Sequence, residues 1–287
     1  MNSVIYFRDV SFKYSNSEQF ALKDINLNIN KGEFVLITGP SGCGKSTLCR
    51  IINGLIPHFY GGTLTGEAIV LGYDVSRTPT YVLARYVGMV FQNPENQLFL
   101  SSVEKELAFG LENLSIPKPE IEKRVQEVAQ LMNIETLLDK APYELSGGQQ
   151  QKVAIASVLV MYPKILVLDE PTSNLDPRSA MEIIDLIFRL NKKFGITVII
   201  IEHRLELVLE KTTRLIFINK GRIIYDGDPR KILKKEDIDE LEFYLPKSVK
   251  LYRDLKRIGI ELPDVPLSPS ELATVLRGEL KRRRLLK

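Results

Sequence analysis

The stretch Gly39-Pro40-Ser41-Gly42-Cys43-Gly44-Lys45-Ser46-Thr47 has the form G-x-x-x-x-G-K-[ST] of a phosphate-binding loop. The apolar run 34–38 before it predicts a buried strand, and apolar residues at helical spacing after it predict a helix. In this context successive main-chain N–H groups surround a phosphate, and the helix N-terminus adds partial positive charge. Such a loop places its Lys45 at the β- and γ-phosphates and its Ser46 on Mg²⁺. The stretch therefore predicts binding of a nucleoside triphosphate, in preference to a purely structural glycine turn.

The composition is that of an ordinary globular protein. The chain has 287 residues, of which 44% are hydrophobic and 26% charged, enough for one large domain or two. Cys43 and Cys49 have no metal-ligand spacing and make a disulfide framework implausible, which favours a reducing compartment. Early charges such as Arg8 and Lys13 argue against a secretory signal. Since the apolar run 196–201 is far too short for a bilayer, we expect any membrane connection to come through a partner.

The net charge of +3 is concentrated at the C-terminus. Residues 281–287 hold five basic groups and no acid, so the rest of the chain has 34 basic and 36 acidic residues (39 − 5 against 36). This balance argues against a nucleic-acid-binding surface on the globular body. The basic tail either contacts anionic lipid or RNA, or is a solvated, frayed terminus.

The N-terminal part of the chain has a β pattern. We predict strands at residues 4–12 and 25–29, a glycine-punctuated hairpin region that ends in a strand at 68–71, and a strand at 86–91. Tyr14 precedes a polar loop and is expected near the surface, where it either stacks on a nucleotide base or packs at the end of a strand.

From about residue 93 to 162 the pattern becomes helical, with amphipathic stretches at 103–114 and 121–132. Ser146 is a predicted N-cap for the next helix, with Gln149 at the capping-box position. These features predict a helical insert between two halves of a β-containing nucleotide fold.

After the insert the pattern of a parallel sheet returns. Ile165–Leu168 is a continuous apolar run that ends in Asp169 and Glu170, as in a buried strand whose carboxyl end faces a ligand crevice. A helix is predicted at 177–194 and a strand at 197–201, followed by a closing hairpin. That second strand ends at Glu202-His203.

These motifs together resemble ATP-binding-cassette (ABC) ATPases. The resemblance rests on Gly39–Thr47, Gln92, Leu145–Gln149, Ile165–Glu170, Ser173–Asp176 and His203, which occur in the order found in that family. It covers about residues 3–230 and implies an α/β P-loop NTPase of the ATP-binding-cassette type. The implied parts are an N-terminal antiparallel β subdomain, a helical subdomain at about 93–162 within an ATPase domain at 1–230, and a C-terminal helical extension at 231–287.

Two short segments resemble the ATPase subunits of energy-coupling-factor transporters: Gln92–Gln97 and Asn53–Pro57. Such subunits import vitamins or transition-metal ions through separate membrane proteins. The resemblance implies three partners: a second ABC ATPase subunit, identical or a paralogue, a transmembrane coupling subunit and a substrate-binding membrane subunit. It also implies a peripheral location on the cytoplasmic face of the cell membrane, and nucleic acid is not an expected partner.

The resemblance also implies roles for individual residues. ATP is the expected substrate and Mg²⁺ the expected metal, bound by Ser46, Gln92 and Asp169. Glu170 is the implied general base and His203 the implied γ-phosphate contact. The remaining residues expected to bind nucleotide are Tyr14, Gly39, Pro40, Ser41, Gly42, Cys43, Gly44, Lys45, Thr47, Ser146, Gly147, Gly148 and Asp176.

Two of these implied roles, those of Glu170 and His203, have a simpler alternative. Glu170 could be a surface carboxylate at a strand end, and a lone histidine such as His203 is usually structural.

The sequence departs from the family pattern at two positions. Glu202 stands where the family more often has Thr or Ser, which could alter the tautomer or pKa of the histidine. Lys152 stands where Arg is commoner and lacks the planar fork of a guanidinium.

Beyond residue 230, Val249, Tyr252, Leu255 and Ile258 predict a short amphipathic helix, and Ser268–Glu271 predicts the capped start of a second one. These helices either help two chains dimerise or pack on the chain's own core. Other functions compatible with the motifs are a soluble ABC ATPase that acts on nucleic acid or ribosomes, the ATPase of another importer type, and a non-hydrolysing structural cassette. The presence of both Glu170 and His203 argues against the last.

Overall fold

The fold is described from a computed structural model, which covers residues 3–242 and 244–282. Within these residues the strands are Ser3–Tyr14 (β1), Leu22–Asn30 (β2), Phe34–Thr38 (β3), Gly62–Val70 (β4), Tyr73–Asp74 (β5), Val87–Val90 (β6), Ile165–Asp169 (β7), Thr197–Ile201 (β8), Arg214–Asn219 (β9) and Arg222–Gly227 (β10).

The helices of the described ranges are Lys45–Ile52 (α1), Leu55–His58 (α2), Thr80–Leu83 (α3), Val103–Asn113 (α4), Lys118–Met132 (α5), Gly147–Leu159 (α6), Pro177–Phe194 (α7), Leu205–Val208 (α8), Pro229–Leu233 (α9), Asp239–Glu242 (α10), Lys247–Arg257 (α11) and Pro269–Arg282 (α12). Short 3₁₀ turns lie at Pro94–Asn96, Glu135–Leu137, Pro142–Glu144 and Leu209–Lys211.

The central sheet has the strand order β10-β9-β3-β8-β7-β6. All neighbouring pairs are parallel except β9 and β10, which form the predicted closing hairpin. Every residue of β3, β7 and β8 is buried, as expected for a parallel sheet covered on both faces. The carboxyl ends of β3, β7 and β8 therefore meet at one edge of the sheet, which confirms the predicted α/β architecture.

A second, antiparallel sheet has the order β2-β1-β4-β5 and contains the predicted N-terminal strands. The prediction for β4 was wrong at its start: the strand begins at Gly62 and pairs with β1 from Tyr14 back to Ile5. The glycine that suggested a turn instead permits close pairing, because a Cβ at Gly62 would lie 2.3 Å from the Lys13 carbonyl oxygen.

The helical insert comprises α4, α5 and α6, in the region predicted. The Ser146 hydroxyl accepts from the Gln149 main-chain N–H, and the Gln149 side chain accepts from the Ser146 N–H, which confirms the capping box. Apolar residues of all three helices join those on one face of the central sheet in a single buried core.

The C-terminal helices pack on the same core through residues such as Leu241, Val249 and Leu272. This confirms packing on the chain's own core, and their role in dimerisation stays a prediction. Ile258 departs from the predicted apolar face: it caps α11 and is 71% exposed. Nine residues at 100° each turn it to the opposite side from Val249. Most of the predicted basic tail, residues 283–287, lies outside the described residues.

Candidate nucleotide-binding and catalytic site

The phosphate-loop motif connects β3 to α1 with backbone conformations that only glycine adopts readily. Gly39 and Gly44 have φ values of 144° and 111°. A Cβ at Gly39 would lie 2.0 Å from the Ile218 carbonyl oxygen, and one at Gly44 would lie 2.5 Å from the Ala21 carbonyl oxygen. The loop is thus held against β9 and the segment before β2, with its amide groups at the N-terminus of α1.

The Lys45 side chain is enclosed by this loop. It is 5% exposed, and its Nζ donates to the carbonyl oxygens of Gly39 and Pro40, both at 2.9 Å. Burial raises the pKa of the neighbouring Cys43 thiol, with Lys45 acting in the opposite direction. A positive charge is therefore held next to the amide groups of the loop, an arrangement suited to a polyphosphate.

Asp169 ends β7 beside the loop. Its pKa is raised by burial, against the opposing effect of a hydrogen bond from the Ser46 hydroxyl, while the nearby Glu170 adds to the rise. Asp169, Ser46 and Gln92 offer oxygen ligands of the kind that Mg²⁺ takes. Within the described residues no group of three His, Cys, Asp or Glu side chains forms a metal site. The set still fits Mg²⁺, which commonly uses one or two protein carboxylates together with substrate phosphates.

Glu170 is the meeting point of two other predicted site residues. Its Oε2 accepts from Gln92 Nε2 at 2.8 Å, and its Oε1 lies 3.0 Å from His203 Nε2. An ionised carboxylate can only accept, so the second contact requires the histidine proton on Nε2. Glu170 itself has φ of 51°, rare for a residue with a side chain, and its N–H donates to the Ile201 carbonyl of β8.

Lys45, Ser46 and Glu170 border a cleft of about 320 Å³, lined by Tyr14, Ala21, Ser41, Gly42, Gly44, Lys45, Ser46, Thr47 and Glu170. Asp169, Gln92 and His203 lie behind this lining. Tyr14 is half-buried: its ring packs edge-on against Phe12 at 4.8 Å, and its hydroxyl lies 3.1 Å from Thr47 Oγ1. Arg50 also donates to that hydroxyl at 3.2 Å. Tyr14 thus packs at the end of β1 and lines the cleft, while its stacking on a base stays a prediction.

The predicted residues of the signature lie in a separate group. Ser146, Gly147, Gly148 and Asp176 are not among the residues that line the cleft. A Cβ at Gly148 would lie 3.3 Å from Ser179 Oγ, which places the start of α6 against the start of α7. Asp176 caps α7 by accepting from the Arg178 and Ser179 N–H groups, and hydrogen bonds from Ser179 lower its pKa.

Some contacts of the site were not predicted from the sequence. Thr172 and Glu202, both buried, and the half-buried Arg204 form a hydrogen-bond network next to His203. Asn174 Nδ2 donates to Asn93 Oδ1 at 2.9 Å, joining the segment after β7 to the one after β6. Only the unusual Glu202 gave a signal in the sequence. The proposed effect on the tautomer of His203 is not seen directly, since Glu202 contacts the His203 main-chain N–H while the ring contacts Glu170.

Comparisons with known proteins identify the family to which the chain is similar. A family model described as ABC transporter matches residues 22–173, just over half of the chain. A Pyrococcus horikoshii protein with the provisional name ABC transporter ATP-binding protein is 44% identical over 96% of this chain and 97% of that protein. A Methanosarcina mazei relative with the same provisional name is 45% identical over 88% of this chain, which spans only 43% of the relative.

Two solved structures are similar in fold and sequence. CbiO1 of Clostridium perfringens, described as part of the ABC transporter complex CbiONQ, is 38% identical with a TM-score of 0.74, over 88% of this chain and 100% of that chain. The ATP-binding cassette MJ0796, solved as a dimer in a post-hydrolysis state with ADP and Pi, is 31% identical with a TM-score of 0.70, over 79% of this chain and 99% of that chain.

No helix within residues 3–242 and 244–282 is long and apolar enough to cross a membrane. The phosphate loop and Glu170 line one cleft, and Glu170 contacts His203. The sequence similarity extends over nearly the whole chain. The chain belongs to the ABC transporter ATP-binding family, whose members hydrolyse ATP.

Proposed function

We propose that this chain is the ATP-hydrolysing subunit that powers import of a vitamin or transition-metal ion through an energy-coupling-factor membrane transporter. The observation that carries the ATPase part is the Glu170 carboxylate, which borders the phosphate-loop cleft and is oriented by Gln92 and His203. The transporter type is supported by the segments Gln92–Gln97 and Asn53–Pro57 and by the similarity to CbiO1.

The phosphate loop binds and orients ATP in this proposal. Lys45 Nζ exchanges the carbonyl oxygens of Gly39 and Pro40 for β- and γ-phosphate oxygens, and the loop amides donate to the same phosphates. Ser46, Asp169 and Gln92 hold Mg²⁺, which neutralises phosphate charge when it is bound. Phosphoryl transfer depends on this positioning and charge neutralisation more than on covalent help from the protein.

Glu170 then acts as the general base. Its carboxylate accepts a proton from the attacking water as that water approaches the γ-phosphorus. Gln92 contacts one oxygen of this carboxylate and His203 contacts the other, so the orientation of the base is fixed before the reaction. His203 exchanges part of its contact with Glu170 for the γ-phosphate and helps to orient the water.

A second subunit completes the site. Ser146, Gly147 and Gly148 form a helix N-terminus suited to a γ-phosphate, but they lie apart from the cleft of their own chain. We propose that they face the nucleotide of a second ATPase subunit, identical or paralogous, and that Asp176 crosses the same interface. A coupling subunit and a substrate-binding subunit in the membrane hold this dimer at the cytoplasmic face.

The test measures two properties of the intact chain, with Lys45→Ala as the matched control. The purified chain should hydrolyse ATP only with Mg²⁺, and the control should not. After gentle detergent extraction, the tagged chain should co-purify with integral membrane proteins that restore vitamin or metal-ion uptake in vesicles. Co-purification with ribosomes or nucleic acid in place of membrane proteins would contradict the transport assignment.

A further inference from the structure

Three consecutive residues after β8 all bond to the segment that follows β7. Glu202 accepts from Thr172, His203 contacts Glu170, and Arg204 donates to main-chain carbonyls of the same segment. The segment 170–176 therefore begins at the proposed general base and ends at Asp176, the residue proposed to cross to the second subunit. We define residues 172–175 as the connecting segment.

Glu202 is 2% exposed, and its carboxylate is satisfied by donors from both sides of this junction. Oε1 accepts from the Thr172 hydroxyl and from the Thr172 N–H, the latter at 3.2 Å. Oε2 accepts from the N–H groups of His203 at 3.2 Å and Arg204 at 3.5 Å. Burial raises the pKa of Glu202, and the Thr172 hydroxyl, followed by Arg204, opposes that rise. Because an unpaired polar group in the interior costs free energy, the buried Glu202 carboxylate keeps its donors from Thr172, His203 and Arg204 together.

Arg204 extends the connection toward Asp176. Its guanidinium donates to the carbonyl oxygens of Thr172 and, at 3.4 Å, of Leu175. The planar fork of an arginine can bridge two such acceptors, which a lysine ammonium does less well. The next residue, Asp176, caps α7 beside the start of α6. Both ends of the connecting segment are thus fixed by residues adjacent to His203.

We propose that Glu202 and Arg204 are positioning residues that clamp the connecting segment to the end of β8, so that His203 and Asp176 move as one unit. The inference rests on the proposed function, in which His203 contacts the γ-phosphate and Asp176 contacts the second subunit. With the clamp intact, a γ-phosphate that fixes His203 also sets Asp176 for pairing. Without it, ATP still binds the loop but no longer favours the paired state.

The experiment measures the ATP concentration that gives half-maximal dimer in a Glu170→Gln background, where turnover does not deplete ATP. Thr172→Val removes the hydroxyl that donates to Glu202 and keeps the side-chain shape, and Thr172→Ser is the matched control that retains the hydroxyl. We expect Thr172→Val to need about tenfold more ATP, the effect of one lost charge-assisted hydrogen bond, and Thr172→Ser to stay near the parent. ADP affinity should be the same in both. Because loss of the buried hydrogen bond lowers the thermal unfolding midpoint of Thr172→Val, the ATP titrations are made at a temperature where both variants are folded.

Arg204→Lys is the second variant, and it tests the clamp if Thr172→Val does not fold. It keeps the charge but loses the fork that bridges Thr172 and Leu175, so it should also need more ATP to dimerise at unchanged ADP affinity. Dimerisation of either folded variant at the ATP concentration of the parent overturns the clamp. If the unsubstituted chain does not hydrolyse ATP and Glu170→Gln does not dimerise with it, the proposed function has failed, and the result is distinguishable from failure of the clamp.

Discussion

Glu170, the proposed general base, has a left-handed backbone conformation that is unusual for a residue with a side chain. Its φ of 51° is held by a hydrogen bond from its N–H to the Ile201 carbonyl, at the point where β7 ends. Residues other than glycine adopt this region at some cost, and such positions cluster where function fixes a side chain. This backbone conformation places the carboxylate where it contacts Gln92 and His203.

Replacing Glu170 with Gln tests its role as the base. The amide keeps the size of the side chain but cannot take a proton, so the rate of ATP hydrolysis should fall by on the order of 10²–10⁴, the usual share of a general base. ATP affinity should persist, and an ATP-bound dimer should accumulate. Radioactive phosphate release and nucleotide binding, measured on the same preparation, check both parts. Near-normal turnover would remove Glu170 from the mechanism.

Asp169 gives a prediction about stability and pH. Its folded-state pKa is raised, chiefly by burial, so the folded form holds this proton more tightly than the unfolded chain does. The free energy of unfolding should therefore fall as the pH rises from about 3.9, the ordinary value for aspartate, through the raised value. In the absence of nucleotide and Mg²⁺, Asp169→Asn should unfold at a higher temperature than the parent at pH 7.5.

That difference should shrink as the pH is lowered toward about 3.9, the ordinary value for aspartate, because the raised pKa means that the folded parent protonates Asp169 before the unfolded chain does. Calorimetry at both pH values provides the measurement, and Asp139→Asn serves as the control for removing an exposed carboxylate. A gap between the Asp169 variant and the parent that stays constant with pH would mean that ionisation of this residue does not oppose folding.

At the scale of the elements, the loop between the Pro94–Asn96 turn and α4 is held in an unusual way. The buried Glu106 of α4 accepts main-chain N–H groups of Phe99, at 2.5 Å, and of Leu100. The Phe99 ring is 67% exposed and packs edge-on against Phe109, which is also exposed. A fixed loop that presents two aromatic rings to solvent is suited to receive an apolar partner surface.

Phe99→Asp tests this surface. We propose that this surface receives an apolar helix of the membrane subunit. Transport in reconstituted vesicles should then be lost, because a carboxylate cannot replace the ring against an apolar partner. Most of the basal ATPase rate of the isolated chain should remain. Phe194→Asp is the matched control, since Phe194 is similarly exposed at 51% but lies at the end of α7, on the opposite edge of the sheet from Glu170. Retained transport in the Phe99 variant would show that this surface does not bind the membrane subunit.

The elements differ in how far the sequence determines them. The bounds of α7 and β8 were predicted correctly because local signals mark them: Asp176 and Pro177 begin the helix, and Gly195 ends it. The start of β4 was missed because the need for Gly62 arises from the neighbouring strand β1, which a local pattern does not contain. Likewise, a sequence shows Gln92 and Glu170 as separate motifs, and only the folded sheet brings them within 2.8 Å.

In the whole molecule, the predicted nucleotide-binding residues fall into two groups. The phosphate loop and Glu170 line one cleft, and Ser146–Gly148 lies with Asp176 beside the start of α7. The order of the motifs predicted all of these residues, and the helical insert between the loop and Ser146 predicted that the signature lies apart from the loop of its own chain. Two chains that face each other head to tail would place each signature opposite the loop of its partner.

Mixing two defective chains tests this arrangement. Ser146→Arg blocks the signature and Lys45→Ala disables the loop, so in either variant alone each site of a dimer carries one lesion. In the mixed dimer one site carries both lesions and the other carries neither. ATP-dependent cross-linking should therefore appear in the mixture and be absent from each variant alone. Equal cross-linking in all three samples would place the loop and the signature of one site on the same chain.

The most direct test of the proposed composite site is the ATPase rate per chain as the purified protein is diluted, with Mg²⁺ and saturating ATP. If each site needs two chains, the rate per chain should fall as the protein concentration drops below the dissociation constant of the dimer, and total activity should rise more than linearly with concentration. Light scattering on the same samples reports the oligomeric state. A chain that is monomeric at high dilution and still hydrolyses ATP at the full rate would contradict the account.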